Sequence, residues 1–249
     1  MSKDNLKSKN PYLSVIIPLY NEEDRLKNAK KIYKYLNRLN INYDVILVND
    51  GSNDSTIQKL NKLLKSFPFT LISYKNNQGK GFAIKKGMLK AKGKYILFID
   101  IDLSTPIEEI SKFLPHLGRV DCIIGSRKTK GAKLNKRQVL FRELLGKGFT
   151  LLSQQMLNLQ VSDFTCGFKC FSRKAARSIF AKQQIRRWGF DSEILFLAKK
   201  LGFRIKEIPV RWSNDPRTRV KFPKDLIESF VDLCRIRLNN FFNPLNNNR

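Results

Sequence analysis

The chain has 249 residues, with 48 Lys and Arg against 21 Asp and Glu, and a formal net charge of +27. Its 42% hydrophobic and 11% aromatic residues exclude global disorder, and its four cysteines are too few and too scattered for a disulfide-stapled scaffold. The charge implies a polyanionic partner, with nucleic acid, anionic lipid and phosphorylated small molecules as the open classes.

Strand-like and helix-like segments alternate along the first hundred residues. Apolar, β-rich runs predict strands at residues 13–19, 43–48, 69–74 and 95–99. Helical spacing of apolar residues predicts helices at residues 22–39, 54–67 and 81–91. This alternation predicts an α/β fold with a mostly parallel sheet flanked by helices, built as a single Rossmann-like domain.

The second half of the chain is less regular. Its predicted order is a helix at 106–116, a strand at 120–125, a basic loop at 127–137, an amphipathic stretch at 139–157, a Gly- and Cys-containing segment at 163–171, helices at 173–180 and 191–201, a strand at 203–209 and a final amphipathic helix at 223–242. We expect a flexible basic N-terminus at 1–12, one domain at 13–222, and a C-terminal amphipathic helix and tail at 223–249 that is a candidate for membrane association.

Two carboxylates follow the apolar strand at 95–99. Asp100 and Asp102 are two residues apart, and in extended chain such side chains point the same way, so both can face one ligand. Ligands of parallel sheets bind beyond the carboxyl ends of the strands, which is where this pair lies. Mg²⁺ takes one or two protein carboxylates and completes its shell with water and substrate phosphates. The pattern favours a metal-diphosphate site, with an ordinary solvated loop as the alternative for Asp-x-Asp alone.

Polar residues follow two more elements at the same edge. Residues 50–55 form a turn and a helix N-cap, and Asp50 is directed to the ligand edge, where it can accept a hydrogen bond from a base or a ribose. Residues 77–81 (NQGKG) let backbone approach a ligand closely, and Lys80 can meet a phosphate there. This segment is neither a Walker A motif nor a complete G-x-G-x-x-G motif.

Eight motifs occur in a fixed order: VIIPLYNEE at 15–23, VNDGSNDS at 48–55, NQGKG at 77–81, FIDIDLSTP at 98–106, IGSR at 124–127, DFTCGFK at 163–169, WGFDSE at 188–193 and EIPVRW at 207–212. Together they resemble the family 2 glycosyltransferases. The last four resemble the polyprenyl-phosphate branch of that family, which contains the dolichyl-phosphate β-glucosyltransferases and, more distantly, the dolichol-phosphate mannose synthases. The resemblance covers about residues 13–237 and implies a nucleotide-sugar-binding domain of the GT-A type. One departure is Asn49, which stands where the family usually has Asp.

The resemblance also implies roles for individual residues. The implied donor-binding residues are Pro18, Tyr20, Asn21, Glu22, Asp50, Gly51, Lys80, Asp100 and Asp102. It implies that Asp100 and Asp102 hold Mg²⁺ or Mn²⁺ on the donor diphosphate, that Arg127 and Arg142 meet the acceptor phosphate, and that Asp102 and Arg127 are the catalytic residues. The residues Asp163, Asp191 and Glu193 match positions near the pocket in relatives, and a structural role is equally open for them.

The implied reaction moves a hexose from a nucleotide sugar to a polyprenyl phosphate, with UDP-glucose favoured as donor and GDP-mannose next. A phosphate monoester has a second pKa near ~6 and is already an anionic nucleophile at neutral pH, so a catalytic base is unnecessary. The expected chemistry is one in-line displacement at the sugar C1, which inverts an α-linked donor into a β-linked product. Guanidinium groups position the acceptor, and a metal stabilises the departing diphosphate.

No apolar window approaches the ~20 residues needed to cross a bilayer, and residues 1–11 lack the apolar core of a secretory signal. We therefore expect a cytoplasmic enzyme that is peripheral on the cytoplasmic face of an anionic membrane, and a separate integral membrane partner is left open. Basic residues of the loop at 127–137, next to the amphipathic stretch, suit such a surface, with a solvated loop and a core helix as the alternative.

Two other functions compete. A nucleic-acid-binding protein accounts for the charge but not for the ordered acidic motifs, whose carboxylates would repel a phosphate backbone, so we expect no nucleic-acid partner. A family 2 glycosyltransferase with a hydroxyl acceptor in cell-surface glycan assembly would instead form a stable glycoside rather than an acid-labile sugar phosphate.

Overall fold

The computed structural model describes residues 10–136, 140–217 and 224–242. Its strands are β1 (Leu13–Leu19), β2 (Tyr43–Asp50), β3 (Phe69–Tyr74), β4 (Tyr95–Ile99), β5 (Cys122–Ser126), β6 (Lys133–Lys136), β7 (Phe168–Ser172), β8 (Ile205–Pro209) and β9 (Arg211–Ser213). Its α-helices are α1 (Lys27–Leu36), α2 (Thr56–Ser66), α3 (Lys80–Lys90), α4 (Ile110–Phe113), α5 (Leu140–Leu157), α6 (Arg173–Lys182), α7 (Phe190–Lys200) and α8 (Lys224–Phe242).

The central sheet has the strand order β3-β2-β1-β4-β7-β5-β8, and β6 pairs with β9 in a small second sheet. The pairs β1 with β2, β1 with β4, β2 with β3 and β5 with β8 are parallel, whereas β7 runs antiparallel to both β4 and β5. The predicted α/β fold with a mostly parallel sheet is confirmed. No strand was predicted within the Gly- and Cys-containing segment at 163–171, but its second half belongs to β7, which lies in the middle of the sheet. The loop predicted at 127–137 also contains β6.

Alternating side chains of the central strands bury both faces of the sheet. Val15 and Ile17 point into one apolar cluster, which α1 and α2 cover, while Ile16 between them points into the cluster covered by α3, α6 and α7. This burial on both faces explains why the strands read as continuous apolar runs rather than as an alternation of apolar and polar residues.

The predicted helix at 22–39 begins only at Lys27, because residues 22–26 form turns. The N–H groups of Arg25 and Leu26 both donate to the Glu22 carbonyl oxygen, at 2.9 and 3.1 Å. The fold thereby leaves a structured loop, rather than a helix, directly after β1. This loop lies at the carboxyl end of the sheet.

Strand order reverses between β1 and β4, since the chain moves outward from β1 through β2 and β3 and then returns to place β4 on the other side of β1. Open α/β sheets bind ligands at this kind of switch point, outside the carboxyl ends of the strands. The loops after β1, β2 and β4 meet there.

Helices α5 and α8 pack against each other and expose apolar side chains. These exposed side chains include Leu144 and Leu151 on α5, and Ile227, Phe230 and Leu238 on α8. Within the described ranges, no helix has the length and hydropathy that a membrane crossing requires.

Candidate functional site

The loops after β1 and β2 are joined by hydrogen bonds that fix the backbone of the site. Asn21 has a positive φ of 53°, and its N–H donates to Ser52 Oγ at 2.9 Å, while its side-chain oxygen accepts the Asn53 N–H at 2.8 Å. The Glu22 N–H donates to Thr56 Oγ1 at 2.9 Å. The predicted donor residues Asn21 and Glu22, which follow β1, are therefore held against the loop after β2 and the start of α2, at the switch point of the sheet.

Asn49, at the last but one position of β2, links this strand to its neighbours. Its Nδ2 donates to Ser73 Oγ at 2.9 Å, and its Oδ1 accepts from Ser52 Oγ at 2.6 Å. A carboxylate at this buried position could accept both bonds but could not donate one. The amide thus has a local structural role in this chain.

Asp50 is buried at the end of β2, and its carboxylate organises the loop that precedes α3. It accepts the N–H groups of Gln78 and Gly79 at 2.8 and 2.9 Å and the side-chain amide of Asn77 at 2.7 Å. Burial raises the pKa of Asp50, and the two backbone hydrogen bonds oppose that rise. The role predicted for Asp50 as a direct contact to the donor stays a prediction, and the contacts in the structure make it the anchor of residues 77–79.

Gly51 is required next to Asp50. It has a φ of +65°, and a Cβ there would come within 2.7 Å of the backbone of residues 75–77. Only glycine lets the loop after β2 and the loop before α3 approach each other this closely.

The acidic pair lies directly after β4, with both side chains at the carboxyl edge. The Ser104 N–H donates to Asp102 Oδ1 at 2.8 Å, and Asn28 Nδ2 donates to the Ile101 carbonyl oxygen at 2.8 Å, which fixes the turn between them. Burial, and after it the negative charge of Asp100, raises the pKa of Asp102. Asp102 therefore lies close enough to Asp100 for the Asp100 charge to oppose ionisation of Asp102.

Asp100 is confined on one side by Gly167 and on the other by Lys80. A Cβ at Gly167 would overlap with the Asp100 carboxylate, so the chain needs glycine at this point, just beyond the end of the ladder between β4 and β7. Lys80 Nζ lies 2.7 Å from Asp100 Oδ1 and 2.8 Å from Oδ2, and it also lies 5.6 Å from the ring centroid of Trp188.

A buried ion pair lies next to the cluster formed by Asp100, Asp102 and Lys80. Lys169, on β7, is fully buried; its Nζ pairs with Asp191 at the start of α7 and donates to the Cys166 carbonyl oxygen at 2.7 Å. Burial raises the pKa of Asp191, although Lys169 and Lys80 both oppose that rise. Glu193, one turn along α7, accepts the N–H groups of Gln184 and Ile185 at 2.8 Å each.

Arg127 follows β5 and is held by three groups. Its Nε and Nη2 donate to the two oxygens of Asp163 at 2.7 Å each. Nη2 also donates to Thr165 Oγ1 at 2.8 Å. The guanidinium carbon lies 5.4 Å from the Trp212 ring centroid. Although burial alone would lower the pKa of Arg127, the charge of Asp163 raises it overall. No described residue accepts a hydrogen bond from Arg127 Nη1. Arg142 lies within α5, but its side chain is outside the described part of the chain, and its role stays a prediction.

Strand β9 connects these regions and was not recognised in the sequence. Next to Trp212, the Ser213 N–H donates to the Ser104 carbonyl oxygen at 2.9 Å. Beyond it, Asp215 accepts from Arg25 Nε at 3.1 Å, and Arg25 also pairs with Glu22 at 2.8 Å. One short stretch of chain therefore touches the arginine after β5, the acidic turn and the loop after β1. In the sequence this stretch is marked only by the EIPVRW motif at 207–212, which ends at Trp212.

The carboxylates of Asp100 and Asp102 suit a divalent cation that also binds a diphosphate. No cluster of three or more His, Cys, Asp or Glu side chains that could hold a metal occurs among the described residues. The pair of Asp100 and Asp102 nevertheless matches the one or two carboxylates that Mg²⁺ takes from proteins when phosphate oxygens and water supply the remaining ligands. The residues present fit such an ion.

Residues 14–180 match the family model described as Glycosyl transferase family 2. The chain is similar to the dolichyl-phosphate beta-glucosyltransferase of Dictyostelium discoideum, with 34% identity over 251 residues that cover 93% of this chain and 77% of the relative. It is also similar to the dolichyl-phosphate beta-glucosyltransferase of Homo sapiens, with 32% identity over 242 residues, 91% of this chain and 75% of the relative.

Among solved structures, the chain resembles glucosyl-3-phosphoglycerate synthase from Mycobacterium tuberculosis in complex with UDP, with a TM-score of 0.65, 17% identity and coverage of 95% of this chain and 84% of that one. The same enzyme in complex with Mn²⁺, UDP and glucosyl-3-phosphoglycerate gives a TM-score of 0.62 at 16% identity, with 95% and 84% of the two chains covered. At these identities the likeness establishes the fold.

Proposed function

Since the chain belongs to glycosyl transferase family 2, we propose that it transfers a hexose from a nucleotide sugar to a polyprenyl phosphate and inverts the anomeric carbon. UDP-glucose is the favoured donor and GDP-mannose the second. The relatives are similar along most of this chain, and their names, dolichyl-phosphate beta-glucosyltransferase, support the phosphate acceptor and glucose as the sugar.

The proposal rests on one observation: the segment at 163–167 contacts both Arg127 and Asp100. Asp163 and Thr165 hold the Arg127 guanidinium, and Gly167 lies against the Asp100 carboxylate. The same five-residue segment therefore contacts a cationic group suited to a phosphate and one of the two carboxylates suited to a diphosphate-bound metal. Transfer of a sugar from a nucleoside diphosphate to a phosphate needs these two groups side by side.

The carboxylates around the cluster also favour a phosphate acceptor. A hydroxyl acceptor needs a base to take its proton, whereas a phosphate monoester is anionic at neutral pH. Among the described residues, Asp191 is paired with Lys169, Asp163 with Arg127, and Asp50 with backbone N–H groups. Each of these carboxylates already has a structural partner, which leaves it poorly suited to act as a base.

In the proposed reaction, Arg127 orients the acceptor phosphate for attack on the sugar C1. Asp163 and Trp212 keep the guanidinium in place, so little ordering is required when the acceptor binds. The carboxylates of Asp100 and Asp102 would hold Mg²⁺ or Mn²⁺, which would neutralise the donor diphosphate as it leaves. The loop tied down by Asp50 presents Lys80 to the same diphosphate.

The test measures transfer of labelled sugar from a panel of UDP- and GDP-sugars to a short polyprenyl phosphate, with the product identified by its lability to mild acid. We expect Arg127→Lys to raise the KM for the acceptor about 10- to 100-fold, because an ammonium cannot replace a guanidinium fork. Binding of UDP should not change. An unchanged acceptor KM would contradict the role of Arg127, and a product stable to acid would indicate a hydroxyl acceptor.

Arg204 offers a matched control. It pairs with Asp121 at 3.8 Å and is exposed, and it lies at the opposite, amino end of the same strands β5 and β8. Arg204→Lys should leave acceptor KM and turnover unchanged, so a loss in both variants would point to a general effect of arginine replacement.

We further propose that α5 and α8 bring the enzyme to the cytoplasmic face of an anionic membrane. Their exposed apolar side chains, together with the net charge of +27, fit a surface that is both apolar and negatively charged. A variant with Leu151→Ser and Phe230→Ser should lose sedimentation with phosphatidylserine vesicles. Equal sedimentation of the unaltered protein with phosphatidylserine and with neutral phosphatidylcholine vesicles would contradict the electrostatic part of this proposal.

A further inference from the structure

The Lys80 ammonium contacts both oxygens of Asp100, and neighbouring groups fix its position. The two contacts measure 2.7 and 2.8 Å, the Trp188 ring lies 5.6 Å from Nζ on another side, and Lys80 is the first residue of α3. Asp100 has little freedom to withdraw, because its carboxylate rests against Gly167 and its N–H donates to the Gly167 carbonyl oxygen at 3.3 Å. Lysine and carboxylate are therefore held together from both sides.

A divalent cation on Asp100 would use the same carboxylate oxygens. An ammonium and a divalent cation a few ångströms apart repel each other, and the repulsion is strong where water is partly excluded. Asp191, the next carboxylate in the cluster, already neutralises the fully buried Lys169 and so offers Lys80 only partial compensation. Lys80 would have to move for the cation to bind tightly, and a donor diphosphate at the start of α3 would give its ammonium a new anionic partner.

We infer that Lys80 competes with the divalent cation for Asp100, and that the donor diphosphate relieves this competition by drawing the Lys80 ammonium to itself. The cation then binds together with the nucleotide rather than before it. This inference rests on the proposed function, because it concerns the same diphosphate and the same cation. It assigns Lys80 as a positioning residue that links the two binding events.

The experiment measures two affinities separately for the unaltered protein and for Lys80→Met. Binding of Mn²⁺ alone is followed from the electron paramagnetic resonance signal of the free ion, and binding of UDP without metal is followed by titration calorimetry. We expect Lys80→Met to bind Mn²⁺ about tenfold or more tightly and UDP about tenfold more weakly, as removal of one nearby positive charge requires. A purely structural role for Lys80 would weaken both affinities, so opposite signs are the signature of competition.

Lys86→Met is the matched control. Lys86 lies on the same helix and also approaches an aromatic ring, with Nζ 5.2 Å from the Phe82 centroid, but it is exposed and makes no ion pair with the described residues. Both affinities should be unchanged in this variant.

An affinity of Lys80→Met for Mn²⁺ equal to or lower than that of the unaltered protein would overturn the inference. A third titration, of Mn²⁺ in the presence of UDP, separates this failure from failure of the proposed function. If Mn²⁺ binds with UDP and Asp102→Asn abolishes that binding, the metal site stands and only the competition is refuted. If Mn²⁺ does not bind even with UDP, both the competition and the metal-dependent function are refuted.

Discussion

Replacement of Lys169 by methionine should destabilise the protein far more than replacement of an exposed lysine. Lys169 is fully buried, it pairs with Asp191, and its Nζ also satisfies the Cys166 carbonyl oxygen. Methionine has a similar volume, so packing is largely retained, and the loss comes from an unpaired buried carboxylate and an unsatisfied carbonyl. Removal of one partner of a buried pair costs about 3–5 kcal/mol.

The second substitution, Asp191→Asn, should recover much of that loss. Burial raises the pKa of Asp191 in spite of its cation partners, which indicates that the pair does not fully offset the desolvation of the carboxylate. Once the charge is also removed, we expect the double variant Lys169→Met, Asp191→Asn to lie only about 1–2 kcal/mol below the unaltered protein. The two effects are therefore strongly non-additive.

The assay is thermal and urea unfolding followed by tryptophan fluorescence and circular dichroism. For a chain of this size, 3–5 kcal/mol corresponds to a fall in Tm of roughly 6–20 °C. Lys147→Met serves as control, since Lys147 forms an exposed i,i+4 pair with Glu143 at 3.3 Å that should contribute about 0.5 kcal/mol or less. A loss below about 1 kcal/mol for Lys169→Met, or a double variant no more stable than the single one, would refute this account of the cluster.

Three further substitutions test other parts of the site. Asn49→Asp should lower the free energy of unfolding by about 1–3 kcal/mol, because it places a charge at a buried position whose amide donates a hydrogen bond to Ser73. An unchanged Tm would contradict this. Gly167→Ala should abolish transfer of the sugar by displacing Asp100. Gly146→Ala should keep full activity, because the space around Gly146 is open. Equal activity of both variants would argue against a tight fit at Asp100. Asp163 has a lowered pKa in the folded protein, so its contribution to stability is present above its unfolded pKa and is lost as the pH falls through the lower folded value. The stability difference between the unaltered protein and Asp163→Asn should therefore shrink on acidification, and a difference independent of pH would exclude this linkage.

The carboxyl edge of the sheet was predictable because each of its elements carries a local signal. Four apolar runs, each followed by polar residues, indicated parallel strands whose ends share one edge, and the structure brings the segments after β1, β2 and β4 together there. Asp100 and Asp102 were identified because their spacing and position after a buried strand both have a chemical meaning.

Strand β7 was missed because its second residue is a lysine. Lys169 breaks the apolar pattern of Phe168–Ser172, and its charge is neutralised by Asp191, which is 22 residues away in the sequence. A buried charge with a distant partner leaves no local periodicity to detect. Antiparallel insertion between β4 and β5 is likewise a property of the assembled sheet.

The groups that hold Arg127 were missed for a related reason. Trp212 lies on a three-residue strand, and the fork to Asp163 spans 36 residues. The ties of Arg25 to Glu22 and Asp215 combine one local contact with one between distant residues. Sequence patterns indicate which residue types can bind a ligand, whereas the contacts that orient them come from tertiary packing.

The acceptor proposed for this enzyme is a phosphate. The most direct measurement compares release of UDP from UDP-glucose, with Mg²⁺ present, when the lipid is a polyprenyl phosphate and when it is the corresponding polyprenol. Release should occur with the phosphate and stay at the background rate with the alcohol, because Arg127 supplies a guanidinium for an anionic nucleophile, whereas Asp50, Asp163 and Asp191 already have partners and are poorly suited to act as a base. Equal release with both lipids, or release with the alcohol alone, would contradict it.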